Sequence, residues 1–365
     1  MRLQLDALAS LLLWTLLGFS AVVHADSGLS GSLQGALHYY YEGSTRVFMP
    51  ETAVTVQAVS GERASASILV DVITSASISA GRTEDELRDE YRFGPQLSVG
   101  KTYDQGNYRF SVDGTGRYST EDDYTSASAG IDLGLYLNSD TRILRWGISH
   151  IRDAIRSNAD PEFRANLRGW STNLSIEQVL NPTMVLVLGY QFGHHSGFLG
   201  NPYRSVGLEG APQREQPPEL RVRHGISSRW SWYVPRARLG IHLLCRLAAD
   251  SWEVFSTAPE LRLYKEVTDY LLLRFRYRYY VQSGASFYRE NYPFAWDEAF
   301  TADFKLAPFS SHTVGLRADV DATFLEGTPL QWAARTTVFL SLDRVFSGIG
   351  YGNQIVGTGG GIWRF

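Results

Sequence analysis

Long runs in which apolar and polar residues alternate dominate this sequence, and they restrict the fold more than any other feature. In the run 270–283, one face is apolar and the other is rich in arginine. The apolar face consists of Leu271, Leu273, Phe275, Tyr277, Tyr279 and Val281. The polar face consists of Arg274, Arg276, Arg278, Tyr280 and Gln282. A period of two predicts a strand whose two faces meet different surroundings.

The same alternation recurs in the runs 107–120, 219–234 and 311–324. Such runs of roughly 10–14 residues exceed the soluble mode of about 5–6. After the first 25 residues, no run approaches the ~20 apolar residues of a spanning helix. The pattern therefore predicts an all-β protein, a transmembrane antiparallel up-and-down β-barrel. The runs give about seventeen candidate strands, and because a bacterial barrel has an even number, we expect about sixteen, with fourteen as the alternative.

The two ends of the chain indicate export. Residues 1–25 resemble a signal peptide, with Arg2, an apolar run from Leu8 to Val23 and a small-residue site ending at Ala25. We expect an N-terminal periplasmic segment at 26–32, the barrel at 33–365, and a bacterial outer-membrane location. Trp363 and Phe365 resemble the C-terminal signal for barrel assembly. The expected partners are the Sec export and barrel-assembly machineries and outer-membrane lipid.

The connections between the runs alternate between short turns and long loops, as in barrels with periplasmic turns and extracellular loops. The long loops are predicted at 79–89, 151–169, 196–218 and 284–296, and the loop 196–218 could fold in and constrict the lumen. Cys245 is the only cysteine, which excludes an intrachain disulfide, and it falls on an apolar, lipid-facing run. The net charge of -4 gives no basic footprint for nucleic acid.

Charged residues on the polar faces are the candidate functional residues. The predicted pore-lining set is Arg109, Arg117, Arg221, Arg223, Arg229, Arg238, Arg246, Arg262, Arg274, Arg276, Arg278, Asp303, Arg317, Asp319 and Asp321. Walls of arginine in a pore favour anions, so the leading hypothesis is a passive channel for small anionic solutes. The alternative is a lumen stiffened by arginine–carboxylate ladders with little conduction.

Two further clusters have a functional and a plain interpretation. Glu121, Asp122 and Asp123 could offer oxygen ligands to calcium, or form a solvated turn. His194, His195 and Ser196 suggest a hydrolase at the barrel rim, or a polar loop base. Under the leading hypothesis the protein is not an enzyme. No phosphate loop, paired-cysteine motif or haem-attachment motif is present, so no cofactor is expected.

Several segments resemble a bacterial family of outer-membrane proteins of unknown function, DUF3570. They are Tyr118-Ser119-Thr120-Glu121-Asp122-Asp123-Tyr124, Glu177-Gln178-Val179-Leu180, Ser196-Gly197-Phe198-Leu199-Gly200-Asn201-Pro202-Tyr203-Arg204 and Arg278-Tyr279-Tyr280-Val281-Gln282-Ser283, followed by Phe287-Tyr288. Asn201 stands where relatives have an aspartate, so an acidic role does not transfer to it. The resemblance implies an outer-membrane barrel. It also implies the main alternative function, a non-conducting scaffold for a periplasmic or surface redox partner, such as a thioredoxin-like or flavin-attaching protein.

Overall fold

A closed barrel of sixteen antiparallel strands forms the fold. The computed structural model describes residues 28–43, 45–75, 88–208, 211–290, 292, 298–348 and 353–365. Each strand pairs with its neighbours in ring order, and the first strand closes the ring against the last. The predicted signal peptide 1–25 lies outside the described residues. In the part of the chain that is described, no helix is long and apolar enough to cross a membrane.

Eighteen strands are numbered in chain order, and two of them, β10 and β11, form a hairpin outside the barrel. The strands are β1 (Leu29–Glu42), β2 (Thr45–Ala58), β3 (Glu62–Ser75), β4 (Arg88–Asp104), β5 (Tyr108–Thr120), β6 (Tyr124–Leu137), β7 (Arg142–Arg156), β8 (Arg164–Asn181), β9 (Met184–Gly197), β10 (Ser205–Leu208), β11 (Ala211–Arg214), β12 (Leu220–Val234), β13 (Leu239–Asp250), β14 (Phe255–Glu266), β15 (Leu271–Gln282), β16 (Phe309–Asp321), β17 (Thr336–Ser347) and β18 (Gln354–Arg364). The prediction of an all-β barrel with sixteen strands is confirmed.

Three predicted boundaries differ from the structure. The barrel begins at Leu29, inside the segment 26–32 that was expected to precede it. The predicted long loop 151–169 is mostly strand, because β7 continues to Arg156 and β8 begins at Arg164. The run 311–324 ends as a strand at Asp321, where the Asp321 carboxylate caps a short 3-10 helix, Ala322–Leu325.

Connections at the two ends of the barrel differ in length. Both chain ends lie with the short turns that follow β2, β4, β6, β8, β12 and β14, and with the longer turn after β16. That turn holds two 3-10 helices, Ala322–Leu325 and Gln331–Ala333. We call this the periplasmic end and the opposite, loop-bearing end the extracellular end, because bacterial barrels place short turns in the periplasm. The predicted loop 79–89 falls largely outside the described residues.

Alternation along each strand separates an outward face from an inward face. Outward side chains are apolar and exposed, as shown by Leu174 (48%), Ile226 (60%) and Leu316 (63%). Inward side chains are polar and largely covered, as shown by Asp71 and Glu260. An apolar exterior around a polar interior is the reverse of a soluble barrel, and it matches a wall that faces lipid.

Candidate functional site: the arginine wall and the loops above it

Nine inward arginines lie on five consecutive strands, β12 to β16. They are Arg221, Arg223, Arg229, Arg246, Arg262, Arg274, Arg276, Arg278 and Arg317. We call this set the arginine wall. The pairing register places like charges directly opposite each other, Arg262 against Arg276 and Arg274 against Arg317. Directly opposed like charges are destabilising, so the wall needs counter-charges.

Carboxylates neutralise four members of the wall. Glu260 accepts hydrogen bonds from both Arg262 and Arg276, the latter at 3.1 Å. Asp343 of β17 lies 3.5 Å from the other terminal nitrogen of Arg276. The remaining two pairs are Arg221 with Asp250 and Arg317 with Asp319. Glu260 is the central counter-ion of the wall because it contacts two arginines, and its side chain is only 8% exposed.

Five members of the wall form no salt bridge with an acidic side chain in the described part of the chain. These are Arg223, Arg229, Arg246, Arg274 and Arg278. The Nε atoms of Arg229 and Arg274 are buried without a hydrogen-bond partner in the protein. Arg278 lies 5.6 Å from the ring of Tyr280. In the described part of the chain, no carboxylate side chain therefore neutralises the charge of these guanidinium groups.

The strands opposite the wall have a different charge balance. In the sixteen-strand ring, β2 to β6 lie eight places from β12 to β16. Their described inward acids are Glu51, Asp71, Asp104, Asp113 and Asp132. Their inward arginines are Arg63, Arg92, Arg109 and Arg117. The strands β12 to β16 thus carry nine inward arginines and five inward carboxylates. The opposite strands, β2 to β6, carry nearly equal numbers of the two signs.

Ion pairs occupy most of that opposite side. Arg63 donates to both Asp113 oxygens, and Arg92 pairs with Asp71. Arg109 pairs with Asp140 in the periplasmic turn, where both side chains are exposed. Arg117, also in the predicted pore-lining set, is on the inner face of β5 across from Gln96. The net positive charge of the inner surface is therefore concentrated on β12 to β16.

Two residues of the predicted pore-lining set lie outside the barrel strands. Arg238 was assigned to a strand, but it occupies the periplasmic turn before β13 and pairs with Glu266 and Asp269. Pro235 begins a 3-10 turn there, and a proline cannot continue the hydrogen-bond ladder. Asp303 was also assigned to a strand, but it caps a 3-10 helix, Phe304–Leu306, in the extracellular loop. Asp319 and Asp321 lie on the inner face near the periplasmic end of β16.

Two long extracellular loops, 198–219 and 283–308, contact each other above the arginine wall through those of their residues that the structure describes. We call them together the lid. Arg204 of the first loop forms an ion pair with Asp303 of the second, at 2.6 Å, and another with Glu215 at 3.3 Å. Glu215 also accepts a hydrogen bond of 2.6 Å from Thr301, which is 1% exposed. Val206, Tyr292 and Phe300 form a small buried core beside these bonds.

The lid also reaches the far side of the mouth. The Tyr203 hydroxyl donates to Asp123 in the turn between β5 and β6, and it accepts from the backbone N–H of Asn158. The β5–β6 turn and the β15–β16 loop start eight places apart in the ring, on opposite sides. Since Tyr203 and Arg204 bind both, the loops must extend across the extracellular opening. The loop 196–218, which was expected to fold in, thus contacts both sides of the mouth.

The polar contacts of the lid differ in how deeply they are buried. Burial raises the pKa of the Tyr203 phenol above its ordinary value, and its hydrogen bond to Asp123 adds to that rise. A hydrogen bond from Arg214 lowers the pKa of the exposed Asp160 carboxyl below its ordinary value. The Arg214–Asp160 pair, at 2.9 Å, is exposed, whereas Arg204, Asp303 and Glu215 are largely covered. The covered cluster is therefore the main fastening of the lid.

The two other predicted clusters do not assemble into a site. His194 and His195 are consecutive on β9, so His194 points outward and His195 points inward, across from Arg221. Ser196 points outward again, so the three side chains do not converge as a hydrolase triad requires. Glu121 lies 3.8 Å from Arg92, and Asp123 accepts from Tyr203. Within the described ranges, no group of three or more His, Cys, Asp or Glu side chains could hold a metal ion.

Sequence reasoning missed the residues that organise the wall and the lid. Glu260 lies on the same strand as Arg262, but its position between Arg262 and Arg276 depends on the register of β13 to β15. Asp343 joins the wall only because β17 pairs with β16. Arg204 lies in one of the segments that carry the family resemblance, and its partner Asp303 lies in a distant part of the chain. No local pattern in the sequence signals either contact.

Comparisons with known proteins agree on the family and the fold. A family model described as "Protein of unknown function (DUF3570)" matches residues 95–339. A bacterial polysaccharide outer membrane secretin has a TM-score of 0.50 and 11% identity, and the match covers 94% of this chain and all of that one. CdiB from Acinetobacter baumannii has a TM-score of 0.51 and 8% identity, over 93% of this chain and 60% of that one. No curated protein matches the sequence. At these identities the structural likeness shows the outer-membrane barrel fold alone.

Proposed function

Because the chain belongs to the DUF3570 family, whose function is unknown, we propose a function from its own geometry: an outer-membrane channel for small anionic solutes. The observation that carries the proposal is the arginine wall on β12 to β16, facing strands of nearly balanced charge. Barrels of about 16 strands have room for an aqueous channel. A cationic wall on one side of such a channel creates a transverse field that favours anions.

The five unpaired arginines supply most of this field. Arg229, Arg246 and Arg278 lie on three different strands, so they spread cationic charge over the wall. A small dianion or phosphate ester could exchange its water for the planar guanidinium forks of neighbouring arginines. The paired members, including Arg262 and Arg276, hold the wall together through Glu260. The lid would then select solutes by size at the extracellular opening.

The test is the conductance of the purified barrel in a planar bilayer under a salt gradient. The wild-type reversal potential is expected to show anion preference, and the triple variant Arg229→Gln, Arg246→Gln and Arg278→Gln is expected to lose most of it. The matched control replaces three exposed, outward arginines, Arg46, Arg142 and Arg344, by glutamine. It removes the same charge from the outer face and should keep the preference. An unchanged preference in the inward triple variant would refute the cationic mechanism.

One observation favours the alternative of a non-conducting scaffold. The lid spans the mouth and has a buried core, with Val206 and Phe300 each 3% exposed. A lid that stays closed would leave its outer surface as a platform for a surface redox partner, while a periplasmic redox partner would have to bind the turns at the other end. A folded barrel that is silent in the bilayer, both as wild type and after the lid is loosened by Arg204→Ala, would support the scaffold and contradict the channel.

A further inference from the structure

Four arginines form a cluster on the outside of the barrel, apart from the lumen and the lid. Arg152 and Arg156 lie near the extracellular end of β7, and Arg164 and Arg168 lie on the facing part of β8. The register places Arg152 directly opposite Arg168 and Arg156 directly opposite Arg164. We call this the outer arginine cluster. Its charges hid the alternation of the sequence, and for this reason the segment was predicted to be a loop.

The outward orientation follows from the neighbours on the same faces. Arg152 and Arg156 share their face of β7 with Trp146, which is 44% exposed, whereas Asp153 and Ile155 on the other face are buried. On β8, Arg164 and Arg168 share their face with Trp170 and Leu174, which are 51% and 48% exposed. All four arginines are themselves exposed. The cluster therefore faces the surroundings of the barrel at the extracellular end.

The described protein supplies no counter-charge to this cluster. None of the four forms a salt bridge with a described acidic side chain, and only Arg164 donates side-chain hydrogen bonds, to the carbonyls of Pro161 and Phe163 at 2.7 Å. Two directly opposed like-charged pairs are destabilising on a sheet surface. Arg92 or Arg276 in the lumen, by contrast, has its own carboxylate. An external anion would relieve the repulsion in the outer cluster.

The surface below the cluster is built for a membrane. The Trp170 ring packs against the His150 ring in a tilted arrangement, with 4.3 Å between the ring centroids, and it lies across from His194. The three side chains form an aromatic row two residues below Arg152 and Arg168. Further down, outward side chains of β5 to β12 line an apolar concavity of about 900 Å³. They include Val112, Leu133, Trp146, Leu174, Leu188 and Ile226. Leu174 is six residues from Arg168, about 20 Å along the strand, which is the depth of acyl chains.

We propose that the outer arginine cluster and this concavity bind a phosphorylated, acylated lipid of the outer leaflet. The Arg152 and Arg168 forks would hold a headgroup phosphate, since guanidinium groups bind phosphate oxygens in pairs. Arg156 and Arg164, four residues nearer the outside, would hold a second phosphate or the polar part of the headgroup. The acyl chains would run down past Trp170 into the concavity. This site is independent of conduction through the lumen.

The experiment measures lipid binding to the intact barrel in detergent by native mass spectrometry. The probe is a diphosphorylated, multiply acylated glucosamine disaccharide, and its dephosphorylated form and inorganic phosphate serve as comparison ligands. The variant is Arg152→Gln with Arg168→Gln. The control is Arg142→Gln with Arg236→Gln, which removes two exposed arginines at the periplasmic end. The variant should bind the phosphorylated probe about tenfold or more weakly than the wild type, and the control should match the wild type.

Each other outcome overturns a stated part of the proposal. Equal binding of the dephosphorylated lipid would remove the role of phosphate. Displacement of the probe by millimolar inorganic phosphate would indicate a site for free anions instead of a lipid. Equal binding to the arginine variant would place the lipid elsewhere.

The unfolding temperature gives a second readout, because removing these arginines should not lower it. Without lipid, Arg152→Gln with Arg168→Gln should unfold at the same or a higher temperature, because the repulsion between these two opposed arginines is relieved. The phosphorylated lipid should raise the unfolding temperature of the wild type and the periplasmic control, and raise that of the variant much less. A variant that is less stable without lipid would show that the arginines serve the fold, and it would contradict the proposal.

Discussion

Arg204 and Asp303 form an ion pair of 2.6 Å that joins the two long loops above the arginine wall. Their strands are separated in the ring, since the first loop follows β9 and the second follows β15. The neighbouring residue Tyr203 reaches Asp123 on the other side of the mouth. These two adjacent residues thus join the two loops of the lid to each other and to the β5–β6 turn.

Arg204→Ala is expected to loosen the lid without unfolding the barrel. The change leaves the buried Glu215 and the partly covered Asp303 without their shared counter-charge. In a fully buried pair such a loss costs about 3–5 kcal/mol, so the cost here should be smaller. Hydrogen exchange should accelerate in the segments 198–219 and 283–308, and open-state conductance should rise. Arg214→Ala is the control, because its pair with Asp160 is exposed and screened by solvent, so its loss should change little. Equal effects of the two substitutions would contradict the central role of Arg204.

Glu260→Gln is expected to strengthen anion selectivity while weakening the barrel. Glutamine removes the negative charge between Arg262 and Arg276, which the register places directly opposite each other. Losing charge-assisted hydrogen bonds costs about 1.5–3 kcal/mol, so the unfolding temperature should fall. The reversal potential should shift further toward that of anions. A shift toward cations would show that Glu260 does not act on the permeating ion through its charge.

Tyr203→Phe is expected to remove the alkaline sensitivity of the lid. The pKa of the Tyr203 phenol is raised in the folded protein, so its contribution is present below the ordinary tyrosine pKa of about 10 and is lost as the pH rises through the higher folded value. In the wild type, the protection factor of the Asn158 amide, which corrects for the intrinsic rise of exchange with pH, should therefore hold up to pH 10 and fall above it. In the phenylalanine variant this protection factor should be low at every pH. A transition below pH 10 in the wild type would contradict this assignment.

Gly360→Val is expected to disrupt closure of the barrel between β1 and β18. A Cβ atom at Gly360 would lie 2.4 Å from the Gly35 carbonyl oxygen and 2.8 Å from the Phe339 ring. Overpacking of this kind costs about 1–3 kcal/mol, so the fraction of heat-modifiable, folded barrel should fall. Gly359→Val is the matched control, since its Cβ would meet Leu340 at an ordinary 3.5 Å. Similar folding of the two variants would show that the seam tolerates the added atoms.

The period of two was sufficient to place many side chains on the correct face. Arg274, Arg276 and Arg278 follow one another at every second position, so the strand assignment fixes that they share a face. The alternation failed where the chain leaves its strands. Arg238 follows the turn that begins at Pro235, and Asp303 lies in a loop held by Arg204. The local alternation of residues predicts neither the boundary of a turn nor a partner in a distant loop.

The sequence by itself determined the class of fold, because alternation over runs longer than soluble strands suits only a wall between two environments. It also determined which arginines share a face, through the geometry of a strand. Only the tertiary structure decided which of those arginines keep a free charge, because Glu260, Asp250 and Asp343 reach them through pairing between strands. The same holds for the lid and the outer arginine cluster. Their contacts depend on ring closure and register, which bring together residues that are far apart in the chain.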